Sequence, residues 1–168
     1  MPYAYPPHLT TFDYVGRHSY AVEFTTDGRA AIFTEAETVN LVYAQFQRAA
    51  GEKLFAIIAY CFMPDHVHLV VTGRHATSDC LAFIKAAKQY SGYYFKQQHL
   101  RRLWQRYGYE RAIRDEMELA LTIRYVLANP VKAGLASHPS EYPFLGSDRY
   151  TIDELLQWCE YSDACALE

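Results

Sequence analysis

The alternation of apolar and polar positions divides the chain into a short series of strands and helices. Tyr20, Val22 and Phe24 alternate with Ala21, Glu23 and Thr25, which predicts a half-buried strand over about 17–26. Asp27-Gly28 marks a tight turn after it, and 30–33 shows no clear period. Val39, Val42, Tyr43, Phe46 and Ala50 then recur at helical spacing, with Thr34 and Glu37 in a capping-box arrangement and Gly51 as the expected stop. The run 54–63 is almost wholly apolar, as expected of a central strand covered on both faces. Pro64-Asp65 is a turn signal, and 66–72 returns as the second arm of an antiparallel hairpin.

A second helix is predicted over 80–98, capped from Thr77-Ser78-Asp79. Leu81, Ile84, Ala87 and Tyr94 are expected to face the core, and Lys85, Lys88 and Lys96 the solvent. The stretch 101–114 reads as a basic, aromatic loop running into a short strand near 109–113. Asp115 and Glu118 cap a third helix with Leu119, Ile123, Val126 and Leu127 on its apolar side, which Pro130 should end near Ala128. A loop with Pro139, Pro143 and Gly146 leads to a last short helix capped by Thr151 and Glu154. This order predicts an α+β chain: a ferredoxin-like βαββαβ antiparallel sheet plus one additional helix, with the first strand and the 66–72 strand in the centre. Residues 1–150 are expected to form the functional domain, with an N-terminal arm over 1–13, and 151–168 an acidic C-terminal helix and tail. Because this fold hosts many activities, function has to be argued from the site.

Composition narrows the class. Hydrophobic residues make up 51% and charged residues 21%, which excludes a disordered chain. No apolar run is long enough to cross a bilayer, and the first residues lack the pattern of a signal peptide, so a cytoplasmic location is expected. Cys61, Cys80, Cys159 and Cys165 show no Cys-x-x-Cys spacing and read as reduced thiols. The net charge of −3 conceals an uneven distribution: the segment 85–132 carries +6 and the remainder −9. Lys85, Lys88, Lys96, Arg101, Arg102, Arg106, Arg111 and Arg114 are therefore candidate contacts to a nucleic-acid backbone. Tyr93, Tyr94, Trp104, Tyr107 and Tyr109 lie among them and can stack on bases.

The chemistry concentrates at His66 and His68, which strand alternation places on one face while Val67, Leu69 and Val71 take the other. Two adjacent imidazoles make a metal platform. Tyr125 and Asn129, four apart on the third helix, share a face that can meet it. Mg²⁺ or Mn²⁺ on the two histidines, completed by an amide oxygen and a phosphate oxygen, would polarise a phosphate for attack by the tyrosine. Tyr90 and Tyr94 have the same spacing and compete for the nucleophile's role. Asp65 is expected to point away from both histidines, which weakens any other metal-enzyme reading. A non-catalytic single-stranded nucleic-acid-binding module remains the alternative function.

The run Phe62-Met63-Pro64-Asp65-His66-Val67-His68-Leu69-Val70 resembles the His-hydrophobe-His (HUH) signature of the single-tyrosine transposases, the insertion-sequence-200-like family. The resemblance continues in Leu103-Trp104-Gln105-Arg106, in Arg111-Ala112-Ile113-Arg114-Asp115 and in 124–135, which contains Tyr125, Asn129 and Pro130. It covers roughly residues 14–147 and is similar above all to the REP-associated tyrosine transposases. It implies a ferredoxin-like fold, a divalent metal, and nicking and rejoining of hairpin-containing single-stranded DNA through a 5′-phosphotyrosine. His66 and His68 match the metal pair, Tyr125 the nucleophile, and Asn129 the residue that can complete the metal site. Relatives occur as monomers and as dimers that exchange tyrosine helices, and both remain open. The sequence departs from the family pattern at Phe144-Leu145-Gly146-Ser147, and the acidic tail lies outside the match. That tail could lie across the basic DNA surface.

Overall fold

A computed structural model describes residues 11–165, with side chains through 160. Most of the arm expected over 1–13 and the end of the acidic tail lie outside the described residues. The chain runs β1 (Ser19–Thr25), α1 (Ala36–Lys53), β2 (Phe55–Met63), β3 (His66–Gly73), α2 (Cys80–His99), β4 (Tyr109–Ile113), α3 (Glu116–Lys132), β5 (Leu145–Gly146) and α4 (Ile152–Cys165). The strands form one sheet in the order β4-β1-β3-β2-β5, with every pairing antiparallel. The first four positions follow the ferredoxin-like order expected from the sequence, with β1 and β3 inside. β2 is an interior strand covered on both faces, as its apolar run predicts, because the two-residue β5, too short to show a period, extends the sheet beyond it.

Each sheet face carries its own core. Val22, Phe24, Phe62, Val67 and Leu69 pack under α1 and α2, together with Phe46, Phe83 and Trp104. Ala59, Cys61 and Val70 pack on the other face against Ile123, Val126 and Leu127 of α3 and Leu155 and Cys159 of α4. Strand alternation alone assigns the odd positions 67, 69 and 71 of β3 to the first core and Val70 to the second.

Several local details differ from the sequence reading for identifiable reasons. α1 has no side-chain cap from Thr34 and runs through Gly51 to Lys53, where Leu54 ends it in the left-handed region at φ 60°. A glycine inside a helix costs about 1 kcal/mol, which burial of Phe46, Ala49 and Ala50 offsets. α2 is turned relative to expectation: Phe83, Ala87, Ser91 and Phe95 are buried, while Leu81 and Tyr94 are 39% and 40% exposed. The larger phenylalanines set the inner face. Ser91 joins them because its hydroxyl donates to the Ala87 carbonyl and accepts from the Trp104 indole N–H. Pro130 lies inside α3 and does not stop it. It removes one backbone donor in the last turn. The helix then ends in a Schellman arrangement: Leu135 N–H donates to the Pro130 carbonyl and Gly134 N–H to the Val131 carbonyl, with Gly134 at φ 71°.

α4 packs against α3 with Leu155 and Cys159 buried. Thr151 and Glu154 form the reciprocal cap read from the sequence. This helix therefore occupies the α3 side of the sheet, away from the lysine-bearing α2. Among the described residues, no helix is long and apolar enough to cross a membrane.

Gly73 ends β3 where the Gly16 loop crosses it. A Cβ at this position would meet the Gly16 carbonyl oxygen and the Ser78 side chain. Gly73→Ala is expected to lower unfolding free energy by about 1–3 kcal/mol, read from the midpoint of a urea melt at unchanged slope.

Candidate active site

β3 sets the position of both histidines. His66 is its first residue, placed between Thr25 of β1 and Met63 of β2; His68 lies between Glu23 and Cys61. The preceding turn is fixed from both sides. The Asp65 carbonyl accepts from the Thr26 backbone N–H and hydroxyl, and the Pro64 carbonyl accepts from the backbone N–H groups of Ile32 and Phe33. The two imidazoles stand perpendicular with centroids 4.8 Å apart, and their Nε2 atoms approach to 3.1 Å.

A carboxylate stands behind each ring. His66 Nδ1 lies 2.6 Å from Asp65 Oδ1, and Arg29 Nη1 donates to Asp65 Oδ2 at 2.9 Å. His68 Nδ1 lies 3.6 Å from Glu23 Oε2. The expectation that Asp65 points away from the histidines is therefore incorrect. The turn folds its side chain back onto the far nitrogen of His66. Partial burial pushes the Asp65 carboxyl up, but the hydrogen bonds from His66 and Arg29 outweigh it and hold the group below its ordinary value. His68 is 7% exposed. Burial, and secondarily the neighbouring His66, push its pKa down to about 4, so the ring is neutral near pH 7.

Tyr125 comes to this pair from α3 of the same chain. Its ring meets His68 edge-on at 5.6 Å between centroids, and Lys132 Nζ lies 5.4 Å from the tyrosine ring centre. Half of Tyr125 is exposed. His68 and Tyr125 line a cleft of about 420 Å³, shared with Glu23, Tyr109, Arg111 and Leu121. Asn129 follows Tyr125 by one turn, but its Nδ2 donates to the Tyr125 carbonyl at 2.9 Å. Among the described residues that line the cleft, it does not appear.

The competing tyrosines are elsewhere. α2 covers the opposite sheet face. The Tyr90 hydroxyl donates to Glu52 of α1 at 2.6 Å, and Arg48 stacks over its ring. Tyr94 packs edge-on against Tyr93. The basic residues fall into separate groups. Lys85, Lys88, Lys96, Arg102 and Arg106 line a groove of about 600 Å³ between α2 and the loop before β4. Lys88 faces inward rather than to solvent, and its ammonium donates to the carbonyls of Gln105 and Arg106. Burial, and then Arg102, lower its pKa. Arg101 is exposed outside this groove. Arg111 enters the histidine cleft instead, and both it and Arg114 pair with Glu118 rather than with Asp115 or Glu116.

Asp65, Glu23 and Glu118 are the site residues that the sequence reading missed. Glu23 was legible, because it alternates onto the histidine face of a strand adjacent to β3.

The histidine pair fits a divalent ion. In the tautomers that carry the proton on Nδ1, towards Asp65 and Glu23, both Nε2 lone pairs are free, 3.1 Å apart, to share one ion. Ligands about 2.1 Å from one ion at a right angle are themselves about 3 Å apart, and a carboxylate on the second nitrogen is the usual support for a metal-bound histidine. Among the described residues, no group of three or more His, Cys, Asp or Glu converges on a common point. Among the described residues, the protein thus offers two imidazoles to such an ion.

Comparison with known proteins bears on the family and the fold. A family model described as "Transposase IS200 like" matches residues 14–129. A Haemophilus influenzae protein assigned as a REP-associated tyrosine transposase is 26% identical over 127 residues, covering 63% of this chain and 66% of the relative. The REP-associated tyrosine transposase of Escherichia coli K12 is 27% identical over 93 residues, covering 55% of this chain and 54% of the relative. The chain therefore spans less than two thirds of the length of these relatives. The structure of a REP-associated tyrosine transposase bound to a REP hairpin superposes with TM-score 0.68 at 21% identity, covering 79% of this chain and 78% of the other. That likeness establishes the fold.

The depressed His68 pKa links stability to pH. Unfolded histidine titrates near 6.5, so between about 6.5 and about 4 the unfolded chain binds a proton that the folded chain does not. Stability present above pH 6.5 is lost as pH falls through this window, by about 3 kcal/mol from this group. Metal-free protein in chelator is expected to show this fall in denaturant melts at successive pH values. His68→Asn should flatten that part of the profile.

Proposed function

The chain belongs to the IS200-like transposase family, and on that premise we propose that it cuts and rejoins single-stranded DNA through a covalent 5′-phosphotyrosine. The observation that carries this reading is the meeting of the Tyr125 ring with His68 in one open cleft. Tyr125 Oη attacks the scissile phosphorus. The new O–P bond replaces the bond to the 3′ oxygen, which departs and takes up a proton while the phenol loses one. Rejoining is the reverse, so the phosphodiester energy is retained in the adduct and no reagent is consumed. His66 and His68 would hold a Mg²⁺ or Mn²⁺ ion, which when bound would supply Lewis-acid stabilisation of charge on the phosphate. Asp65 and Glu23 orient the two rings, and Asn129 can add its amide oxygen after a side-chain rotation. Burial keeps His68 neutral and its lone pair available.

The substrate class follows from the charge pattern and the relatives. The groove bearing Lys85, Lys88, Lys96, Arg102 and Arg106 lies at the same end of the sheet as the histidines, on the other face. It is the surface we assign to the DNA backbone, with Arg101 at its rim and Arg111 and Arg114 beside the cleft. A REP hairpin occupies the related structure, and a hairpin flanking the cut strand is the substrate form we assign here. A non-catalytic single-strand binder is the second reading, supported by the exposed Tyr93 and Tyr107 rings among basic residues.

The two readings separate in one experiment. A panel of labelled hairpin oligonucleotides with single-stranded flanks is incubated with the protein in Mn²⁺, in Mg²⁺ or in chelator. The transposase reading expects a denaturation-resistant covalent band with metal only, absent in Tyr125→Phe. Binding without a band across the panel would leave the binding module. Independently of DNA, Asp65→Asn is expected to weaken Mn²⁺ binding about 10–100-fold by calorimetry. His66→Ala should remove the binding. Equal Mn²⁺ affinity in all three proteins would exclude the histidine pair as the metal site.

A further inference from the structure

The cleft that should receive a phosphodiester contains an acid at its wall. Glu118, on the first turn of α3, is mostly buried and holds two arginines. Its Oε1 pairs with Arg111 Nη1. Its Oε2 accepts from Arg114 Nε at 3.2 Å and from the Arg114 backbone N–H at 2.9 Å. Arg111 also donates to the Thr122 hydroxyl at 3.3 Å, and that hydroxyl donates to the Glu118 carbonyl at 2.7 Å. Arg111 lies opposite Ala21 in the β1–β4 ladder, on the sheet face that bears Glu23 and His68. Glu118, Thr122 and Tyr125 all line this cleft, from one face of α3.

Two guanidinium groups converging on the two oxygens of one anion is the arrangement that a phosphate's non-bridging oxygens would take. Capping alone does not account for it. The backbone contact to Arg114 needs one neutral acceptor, whereas the arginine contacts use the full negative charge.

We propose that Arg111, in the wall of the cleft that holds Tyr125, and the exposed Arg114 outside it form a phosphate subsite, and that Glu118 fills it as an intramolecular stand-in until a strand displaces it. The inference rests on the single-stranded-DNA reading above and adds a subsite and its built-in competitor to it. Arg111 acts as a positioning residue: a phosphate seated on it fixes how far the strand extends past Tyr125. Glu118 weakens every strand that fails to deliver a phosphate there, because such a strand meets a carboxylate and gains no arginine.

The test uses the full chain with Tyr125→Phe to prevent cleavage. The probe is oligothymidylate of about 20 nucleotides, whose phosphates are read without base preference, in chelator. Glu118→Gln keeps the acceptor for the Arg114 N–H and removes the charge, and is expected to bind about 3–10-fold more tightly. Arg111→Ala should bind about 3–10-fold more weakly with a smaller salt slope. In the Arg111→Ala background, Glu118→Gln should lose most of its gain, because the carboxylate acts chiefly by occupying that arginine. Should Glu118→Gln lose its cooperative melt, Glu118→Asp, which withdraws the carboxylate by one methylene, is read in its place with the same sign. A gain of equal size in both backgrounds overturns the subsite in favour of general charge repulsion. So does no change on Glu118→Gln in a protein that binds the probe. If no variant binds the probe at all, the DNA reading and the subsite fall together.

Discussion

The register of β3 between its two neighbours is the constraint on which the site depends. A slip of one residue would carry His66 and His68 into the aromatic core under α1 and α2 and turn Val67 and Leu69 towards α3. Neither exchange is favourable: the histidines would be buried among aromatic rings away from their carboxylates, and the cleft would lose both imidazoles. The register is held by hydrogen bonds on both sides of β3 and by the Pro64-Asp65 turn, whose carbonyls bind Thr26, Ile32 and Phe33. The same bonds that close the hairpin also bring the Asp65 side chain against His66. A structural turn and the orientation of a metal-ligand candidate are therefore one feature.

Charge in the cleft is arranged against the obvious expectation for a site that handles DNA. The residues nearest the histidines include Glu23 and Asp65, and Glu118 sits on the arginines. These acids each have a cationic or N–H partner, so the cleft is neither strongly basic nor a trap for arbitrary anions. The positive surface lies round the end of the sheet, between α2 and the loop that Trp104 anchors. Gln105 N–H donates to the Thr25 carbonyl and Asp27 N–H to the Leu103 carbonyl, which ties this loop to the end of β1 two residues beyond Glu23. The basic groove and the histidine cleft are thus separate surfaces joined by one strand.

What the sequence made legible follows from which signals are local. Alternation along 66–71, the helical spacing of Leu119, Ile123, Val126 and Leu127, and the reciprocal Thr151–Glu154 cap are each fixed within a few residues, and the structure reproduces them. The rest depended on contacts between distant segments. Gly51 and Pro130 are helix breakers by local rule, yet tertiary burial on one side and a Schellman end on the other carry the helices through them. The inner face of α2 was misjudged because Ser91 looks polar until Trp104, thirteen residues on, supplies its partner. Tyr90 and Tyr94 could not be separated from Tyr125 by spacing. They separate once α2 and α3 are assigned to opposite faces of the sheet. Glu118 looked like an ordinary capping residue because its second function needs Arg111 from β4.

The placement of Tyr125 also bears on which chain supplies it. β4 ends at Ile113 and α3 begins at Glu116, so the link between them is two residues. In this chain α3 folds back over the sheet face beside its own β4. Ile123, Val126 and Leu127 then fill the second core with Val70 and Cys61, and α4 closes over them through Leu155 and Cys159. Exchanging α3 with another copy would require this core to open and α4 to follow or detach. Burial of apolar surface is worth about 25 cal/mol per Å², so each large side chain in that cluster opposes the exchange. Within one chain, the same packing that buries Ile123 and Val126 is what turns Tyr125, on the neighbouring helical position, towards His68.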